Sequence, residues 1–212
     1  MDKRGKFIVL DGMDGSGKGT QLTLLQEKLA GQNVLFTREP GGSPKAEDIR
    51  KMILQTGGPA SNAVCDFFLF WAARGSHVQD VVAPALEQGT PVLCDRYDSS
   101  TYAFQIFGEQ AREAEWLKGM FAQIRNGLPA VYKPDLYIVL DLPAEVAFER
   151  RAKDQAQEKS KFDIKPLEYH QRVREGFKQF AAEFGSTQFV DANRTPEEMH
   201  ADIWGIVEKA LG

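Results

Sequence analysis

Lys18 stands near the end of the run Asp11-Gly12-Met13-Asp14-Gly15-Ser16-Gly17-Lys18-Gly19-Thr20, which follows the apolar tetrapeptide Phe7-Ile8-Val9-Leu10 without a break. Behind it, Gln21–Leu29 has the apolar spacing of a helix. A strand, a glycine-rich turn, a lysine and a helix start make a phosphate cradle. Glycines let backbone N–H groups converge on an anion, and the helix N-terminus adds partial positive charge. Lys18 supplies a full charge where the β- and γ-phosphates of a nucleotide sit. The cradle comprises Gly12, Met13, Asp14, Gly15, Ser16, Gly17, Lys18, Gly19 and Thr20. It departs from G-x-x-x-x-G-K-[ST] at one place, where Gly19 replaces the hydroxyl residue that would hold Mg²⁺, and Thr20 comes one position later. The ion is therefore expected to bind through water or other groups.

Three further segments carry chemistry. In Thr37-Arg38-Glu39-Pro40-Gly41-Gly42-Ser43, Pro-Gly-Gly forces a turn and brings backbone close to a ligand, with Arg38 offering a planar fork to a phosphate. In Asp66–His77, Phe67, Phe70 or Trp71, and Arg74 share one helical face. Such stripes are usually core, but an arginine beside so much apolar surface needs a partner. In Asp95-Arg96-Tyr97-Asp98-Ser99-Ser100-Thr101-Tyr102-Ala103-Phe104-Gln105, an acid at a strand end can reach the hydration shell of Mg²⁺, and the adjacent arginine can bridge two phosphates. Ser100 and Gln105 are the polar contacts expected there.

The elements that must position these groups alternate. Candidate strands are Lys6–Asp11, Asn33–Thr37, Thr90–Cys94, Leu136–Asp141 and Gln188–Asp191. Candidate helices are Lys18–Ala30, Lys45–Gln55, Ser61–Glu87, Ala111–Asn126, Pro143–Gln155, Leu167–Phe184 and Pro196–Leu211. Strands separated by helices of this length predict an α/β fold, a five-stranded parallel sheet with helices on both faces, as a single domain over 1–212. Ligands in such sheets bind at the carboxyl ends of the strands, where each motif above falls. The polar stretch Gln155–Lys165, preceded by Arg150, Arg151 and Lys153, reads as part of a mobile lid at about 150–165 that closes over phosphates.

Bulk properties exclude other classes. A net charge of −4 argues against a general nucleic-acid or acidic-membrane binder. The apolar run after Met1–Lys6 is too short for a signal peptide or membrane span, so a cytoplasmic location is expected. Cys65 and Cys94 read as buried thiols, and the three histidines are too dispersed for a zinc site.

Together the P-loop, T-R-E-P-G-G, F-x-x-A-x-R, D-R-Y-x-x-S-x-x-A-[YF]-Q and lid segments resemble the thymidylate (dTMP) kinase family over about residues 6 to 210, within the P-loop nucleoside monophosphate kinase fold. The resemblance implies Mg²⁺-dependent transfer of the γ-phosphoryl group of ATP to dTMP, and a homodimer to which the aromatic third helix contributes. It implies that Asp14 lies near the acceptor sugar and phosphate or its magnesium, with Asp95 the other metal-side acid. Arg38 and Arg96 would hold the dTMP phosphate, Phe70 would stack on thymine, and Arg74 would contact its O4. Ser100 and Gln105 would line the base and sugar pocket, Phe104 would exclude a ribose 2′-hydroxyl, and Phe162-Asp163 would face the acceptor. Gly15 follows the P-loop acid where some members carry arginine, so the chain is similar to the group whose lid supplies the catalytic cation: Arg150, Arg151 or Lys153 beside Lys18 and Arg96. Trp71 stands where a small residue is usual, which bears on the pocket wall.

Rival readings are weaker. Another nucleoside monophosphate kinase shares the P-loop, but Phe70, Arg74 and Asp95–Gln105 suit a pyrimidine deoxynucleotide. A GTPase needs a guanine-reading N-K-x-D, which is missing from the sequence. A non-catalytic nucleotide-binding module is opposed by Lys18, Asp95 and Arg96.

Overall fold

The computed structural model describes residues 4–55, 62–153 and 160–212. Ser61, the end of the helix expected over Pro143–Gln155 and the middle of the expected lid, Lys159 included, lie outside the described residues.

Five parallel strands form one sheet: β1 (Phe7–Gly12), β2 (Leu35–Arg38), β3 (Val92–Asp95), β4 (Leu136–Asp141) and β5 (Thr187–Asp191). Their spatial order is β2-β3-β1-β4-β5, so the cradle strand β1 is central and pairs with β3 and β4. β1 is buried throughout, as a strand covered on both faces must be. Its alternate residues feed two cores. Ile8 and Leu10 pack with Leu25, Phe177, Ile203 and Val207 on one face, whereas Phe7 and Val9 pack with Phe67, Val82, Leu86 and Phe121 on the other. The expected fold class is observed, with strand limits displaced by at most two residues.

The helices are α1 (Lys18–Lys28), α2 (Pro44–Leu54), α3 (Ala63–His77), α4 (Ala83–Glu87), α5 (Asp98–Thr101), α6 (Ala114–Gly127), α7 (Ala144–Lys153), α8 (Leu167–Phe184) and α9 (Pro196–Leu211). The long helix expected up to Glu87 is α3 and α4 joined by a wide π-helical turn over Val78–Val82. Pro84 explains it: proline lacks an N–H and crowds the carbonyl four residues back, so the helix widens ahead of it. A second wide turn, Tyr102–Gly108, extends α5, and neither was anticipated. Ser99, Ser100 and Thr101 are poor helix formers, but their hydroxyls bond to Asp11 and Arg74 instead of competing with the helix backbone. The helix expected from Ala111 starts at Ala114, after Gln110 passes through φ 46° and a turn closes from Ala114 N–H to the Ala111 carbonyl. Among the described residues no helix is long and apolar enough to cross a membrane.

Candidate active site

Parallel pairing leaves the ends of β1, β2 and β3 side by side, since Leu10 and Arg38 both register with Asp95. Above them lies a cavity of about 490 Å³ bordered by the P-loop, the turn after β2, α3, the segment after β3 and the residues flanking the lid. Of the P-loop, Asp14, Gly15, Gly17, Lys18, Gly19 and Thr20 border it, while Gly12, Met13 and Ser16 form the buried floor beneath. Gly15 is required by geometry: it sits at φ 81°, and a Cβ there would strike the Ala147 carbonyl. Gly19 has open space around it, and nothing in the structure explains its replacing a hydroxyl residue.

Lys18 curls back over the loop and donates to the carbonyls of Gly12 (3.0 Å) and Met13 (3.2 Å). Burial and the neighbouring Arg96 cation depress its pKa, opposed by Asp14, Asp95 and Asp11.

Arg96 is the junction of the site. It occupies the left-handed region at φ 65°, a conformation costing a non-glycine residue about 1 kcal/mol or more. Its side chain supports that backbone by donating to Asp14 (2.7 Å), the Gly12 carbonyl (2.9 Å), the Ser100 hydroxyl (2.9 Å) and Asp11 (3.2 Å). The guanidinium lies 5.0 Å from the centre of the Phe104 ring. Burial works against its charge, but Asp14, Asp11 and Asp95 outweigh it and hold the pKa above the ordinary arginine value. Asp14 is the complement: burial opposes its charge, while Arg96 and Lys18 pull its pKa below the usual value.

Asp11, expected only as the end of a strand, is the hub beneath. Fully buried, it accepts from the Gly12 N–H, Ser99 (2.6 Å), Ser100 (2.7 Å) and Arg96, and so fixes the P-loop and the Arg96 segment relative to each other. Asp95 borders the cavity, and its Oδ1 has no partner among the described residues.

On the acceptor side, Phe70, Ser100, Phe104, Gln105, Phe162 and Asp163 all border the cavity. The Phe162 ring lies 6.4 Å from both Phe70 and Phe104, and the amide nitrogen of Gln105, 1% exposed, has no partner among the described residues. Arg38 borders the cavity too and is held by Glu47 at 2.8 Å. Arg74 does not border it. It is packed behind the wall, stacked between Trp71 and Tyr97 and bonded to Glu39 (2.8 Å) and Thr101 (3.1 Å). Trp71 likewise faces inward, against Phe67 and Phe121, so it does not shape the pocket. Arg150 and Arg151 border the cavity, the first donating to the Ala192 carbonyl and the second forking onto Asp163. Lys153 is exposed and is not part of the lining.

Arg50 was missed. It borders the cavity on α2 and donates to the Pro40 carbonyl, with its pKa lowered by burial and by Arg38. The signal was available, because Ala46, Arg50 and Ile53 share one helical face whose other two members are buried.

Six cations therefore ring one cavity in a chain of net charge −4: Lys18, Arg38, Arg50, Arg96, Arg150 and Arg151. Four carboxylates, Asp14, Glu39, Asp95 and Asp163, border the same cavity, which leaves a local excess of positive charge suited to polyphosphate.

The sequence model of the family described as Thymidylate kinase matches residues 10–203. The thymidylate kinase of Rhodopseudomonas palustris (strain BisB18) is 41% identical over 213 residues, covering 98% of this chain and 90% of the relative. That of Symbiobacterium thermophilum is 40% identical over 209 residues, covering 97% and 94%. That of Trichlorobacter lovleyi is 38% identical over 208 residues, covering 93% and 94%.

Proposed function

The chain belongs to the thymidylate kinase family, and from that premise we propose that it transfers the γ-phosphoryl group of ATP to dTMP, giving dTDP and ADP. The observation that carries this reading is Arg96, tied to the P-loop acid Asp14 at 2.7 Å while bordering the cavity with Ser100, Phe104 and Gln105. One guanidinium thus touches the donor cradle and the acceptor wall together.

In the reaction an oxygen of the dTMP phosphate attacks the γ-phosphorus. The new P–O bond forms as the bond to the β-phosphate oxygen breaks, and ADP leaves with that electron pair. The protein holds the two phosphates in line and neutralises the charge between them. Lys18 and the P-loop N–H groups grip the donor phosphates. Arg38 and Arg50 hold the acceptor phosphate, and Arg96 bridges. The lid contributes Arg150 and Arg151, whose place in the lining supports a lid-borne catalytic charge carried by them in preference to exposed Lys153. Phe70 stacks on thymine, Gln105 and Ser100 bond to the base and sugar side, and Phe104 with Phe162 closes the wall against a 2′-hydroxyl. Arg74, behind the wall, braces it through Glu39 and Thr101.

The donor set fits Mg²⁺. Among the described residues no three-ligand cage exists, and the Asp95 oxygen without a partner is the kind of single carboxylate that binds a phosphate-held, hydrated magnesium. When bound, the ion draws charge from the phosphate oxygens. Asp14, already committed to Arg96, assists through water.

The whole chain works as one domain with its lid at about 150–165, in the cytoplasm, and as a homodimer. Exposed Phe68 on α3 and Trp116 on α6, their rings 6.2 Å apart, supply an apolar patch for that contact. Light scattering that found only a 23.7 kDa species at micromolar concentration would remove the dimer.

The activity is tested by ADP release from Mg-ATP with dTMP, dUMP, UMP, AMP and GMP as acceptors. Turnover should be strongest with dTMP. A stronger response to a purine monophosphate would overturn the reading of the base pocket.

A further inference from the structure

We propose that Lys161 and Lys165 are positioning residues of the acceptor pocket: paired with Asp66 and Glu109, they clasp Phe162 into its aromatic wall. The inference rests on the reading of that wall as the acceptor's.

Phe162 sits in a turn over 160–165 that has neither helix nor strand to fix it. Two backbone bonds close within the turn, from the Asp163 N–H to the Ser160 carbonyl (3.1 Å) and from the Lys165 N–H to the Phe162 carbonyl (3.3 Å). Of its two apolar side chains, Phe162 is 6% exposed and Ile164 72%, so one ring is its apolar anchor. A segment held by so little burial opens at low cost. Its charged side chains supply the remaining hold. Lys161 Nζ donates to both oxygens of Asp66, at 2.9 and 2.8 Å, and Lys165 Nζ donates to Glu109 at 2.8 Å. Asp163 meanwhile receives the fork of Arg151.

The two carboxylates stand beside the rings that Phe162 meets. Asp66 lies one turn ahead of Phe70 on α3, on the same helical face. Glu109 directly follows the wide turn Tyr102–Gly108 that carries Phe104. Each lysine thus fastens the turn to the element bearing one of the two rings that lie 6.4 Å from Phe162. All three rings border the cavity. The Lys161 ammonium also lies 5.2 Å from the centre of the Phe162 ring. Exposed ion pairs contribute little, but the Lys161 and Asp66 side chains are 17% and 6% exposed, and one ammonium engages both Asp66 oxygens. Removing Lys161 takes that donor from Asp66 and the tether from Phe162. The turn is then away from the wall part of the time, and apparent acceptor affinity falls with the fraction still closed.

The test is steady-state kinetics of the full chain with separate KM values for dTMP and ATP. It compares wild type, Lys161→Met, Lys161→Arg, Lys165→Met, Phe162→Ala and Phe162→Ala combined with Lys161→Met. Lys161→Met keeps the apolar stem and removes the charge; it should raise KM for dTMP about tenfold and leave KM for ATP within about twofold. Lys161→Arg, which can still donate to Asp66, should recover most of that loss. Lys165→Met should raise KM for dTMP about threefold, because its pair is the more exposed of the two. In the Phe162→Ala background, adding Lys161→Met should change KM for dTMP by less than about twofold, since the ring through which the lysine acts is gone. An unchanged KM for dTMP in folded Lys161→Met overturns the proposal, as does an undiminished effect of that change in the Phe162→Ala background. A parallel rise in both KM values with a lower melting temperature also overturns it, because that marks a purely structural role. Should Lys161→Met fail to fold, Lys165→Met decides, and an unchanged KM for dTMP there overturns the proposal. A wild type that does not phosphorylate dTMP refutes the kinase reading and the clasp together, whereas an active wild type with unaltered variants refutes only the clasp.

Discussion

Replacing Arg96 with alanine should abolish most turnover while leaving the fold and donor binding nearly intact, and the structure sets both magnitudes. Arg96 donates to Asp14, Asp11, the Gly12 carbonyl and Ser100. Stripping one partner from a buried ion pair costs about 3–5 kcal/mol. Here the loss is smaller, because Asp11 keeps the Gly12 N–H and the Ser99 and Ser100 hydroxyls. Asp14 is 34% exposed, so water and screening take over much of its compensation. The left-handed strain at residue 96 remains with alanine. The net cost is about 1–2 kcal/mol, a fall in melting temperature of roughly 2–8 °C for a chain of this size. In the transition state nothing replaces the charge. A bridging guanidinium of this kind is worth about 10³ to 10⁵ in rate, or about 4–7 kcal/mol. The assay is coupled ADP release at saturating dTMP and ATP, with calorimetric ATP binding alongside. Arg96→Ala should lose at least about 10³ in kcat and change ATP affinity by less than about threefold, since the Lys18 ammonium and the P-loop N–H groups that grip the donor remain and Asp11 still anchors the loop. Arg96→Lys, which keeps the charge without the fork, should fall between. A folded Arg96→Ala enzyme turning over within about tenfold of wild type would refute the bridging role.

Other outcomes follow from the same geometry. Asp95→Asn should raise the Mg²⁺ concentration for half-maximal rate about tenfold or more, and an unaltered magnesium titration would remove Asp95 from the metal side. Arg150→Ala and Arg151→Ala should each cost about a hundredfold or more in kcat while Lys153→Ala stays within about threefold; the reverse order would displace the lid assignment. Stability should fall in acid. The Asp14 pKa is depressed below 3.8 in the fold, so its contribution is complete above that unfolded value and is lost as pH falls through the lower, folded one. The melting temperature of Asp14→Asn should accordingly decline less than that of wild type below about pH 4, and equal acid slopes would contradict the Asp14–Arg96 coupling.

The sheet was legible because its strands are short apolar runs between turn signals, and β4 was found with both ends correct. The cradle was legible because its backbone requirements are written in glycines. What could not be read is side-chain direction. Arg74 looked like a lining residue from its place on an aromatic helix, yet Glu39, 35 residues earlier in sequence, turns its guanidinium into the wall. Asp11 looked like the end of a strand, and its role appears only when Ser99 and Ser100 are brought onto it from 88 and 89 residues away. The Asp98–Gly108 helix was hidden for the same reason, since its hydroxyl residues favour other local structure until tertiary bonds engage them. Arg50 was readable from the helical face it shares with buried Ala46 and Ile53, although it lies outside every glycine-rich or aromatic motif of the sequence.

The central claim is that this cavity passes a phosphoryl group between two nucleotides and keeps water from taking it. Phosphorus NMR of the wild-type chain with Mg-ATP and dTMP tests that most directly. The claim predicts that dTDP and ADP appear in equal amounts, with no inorganic phosphate ahead of them. Inorganic phosphate rising with ADP while dTMP stays unchanged would make the protein an ATP hydrolase and contradict the account.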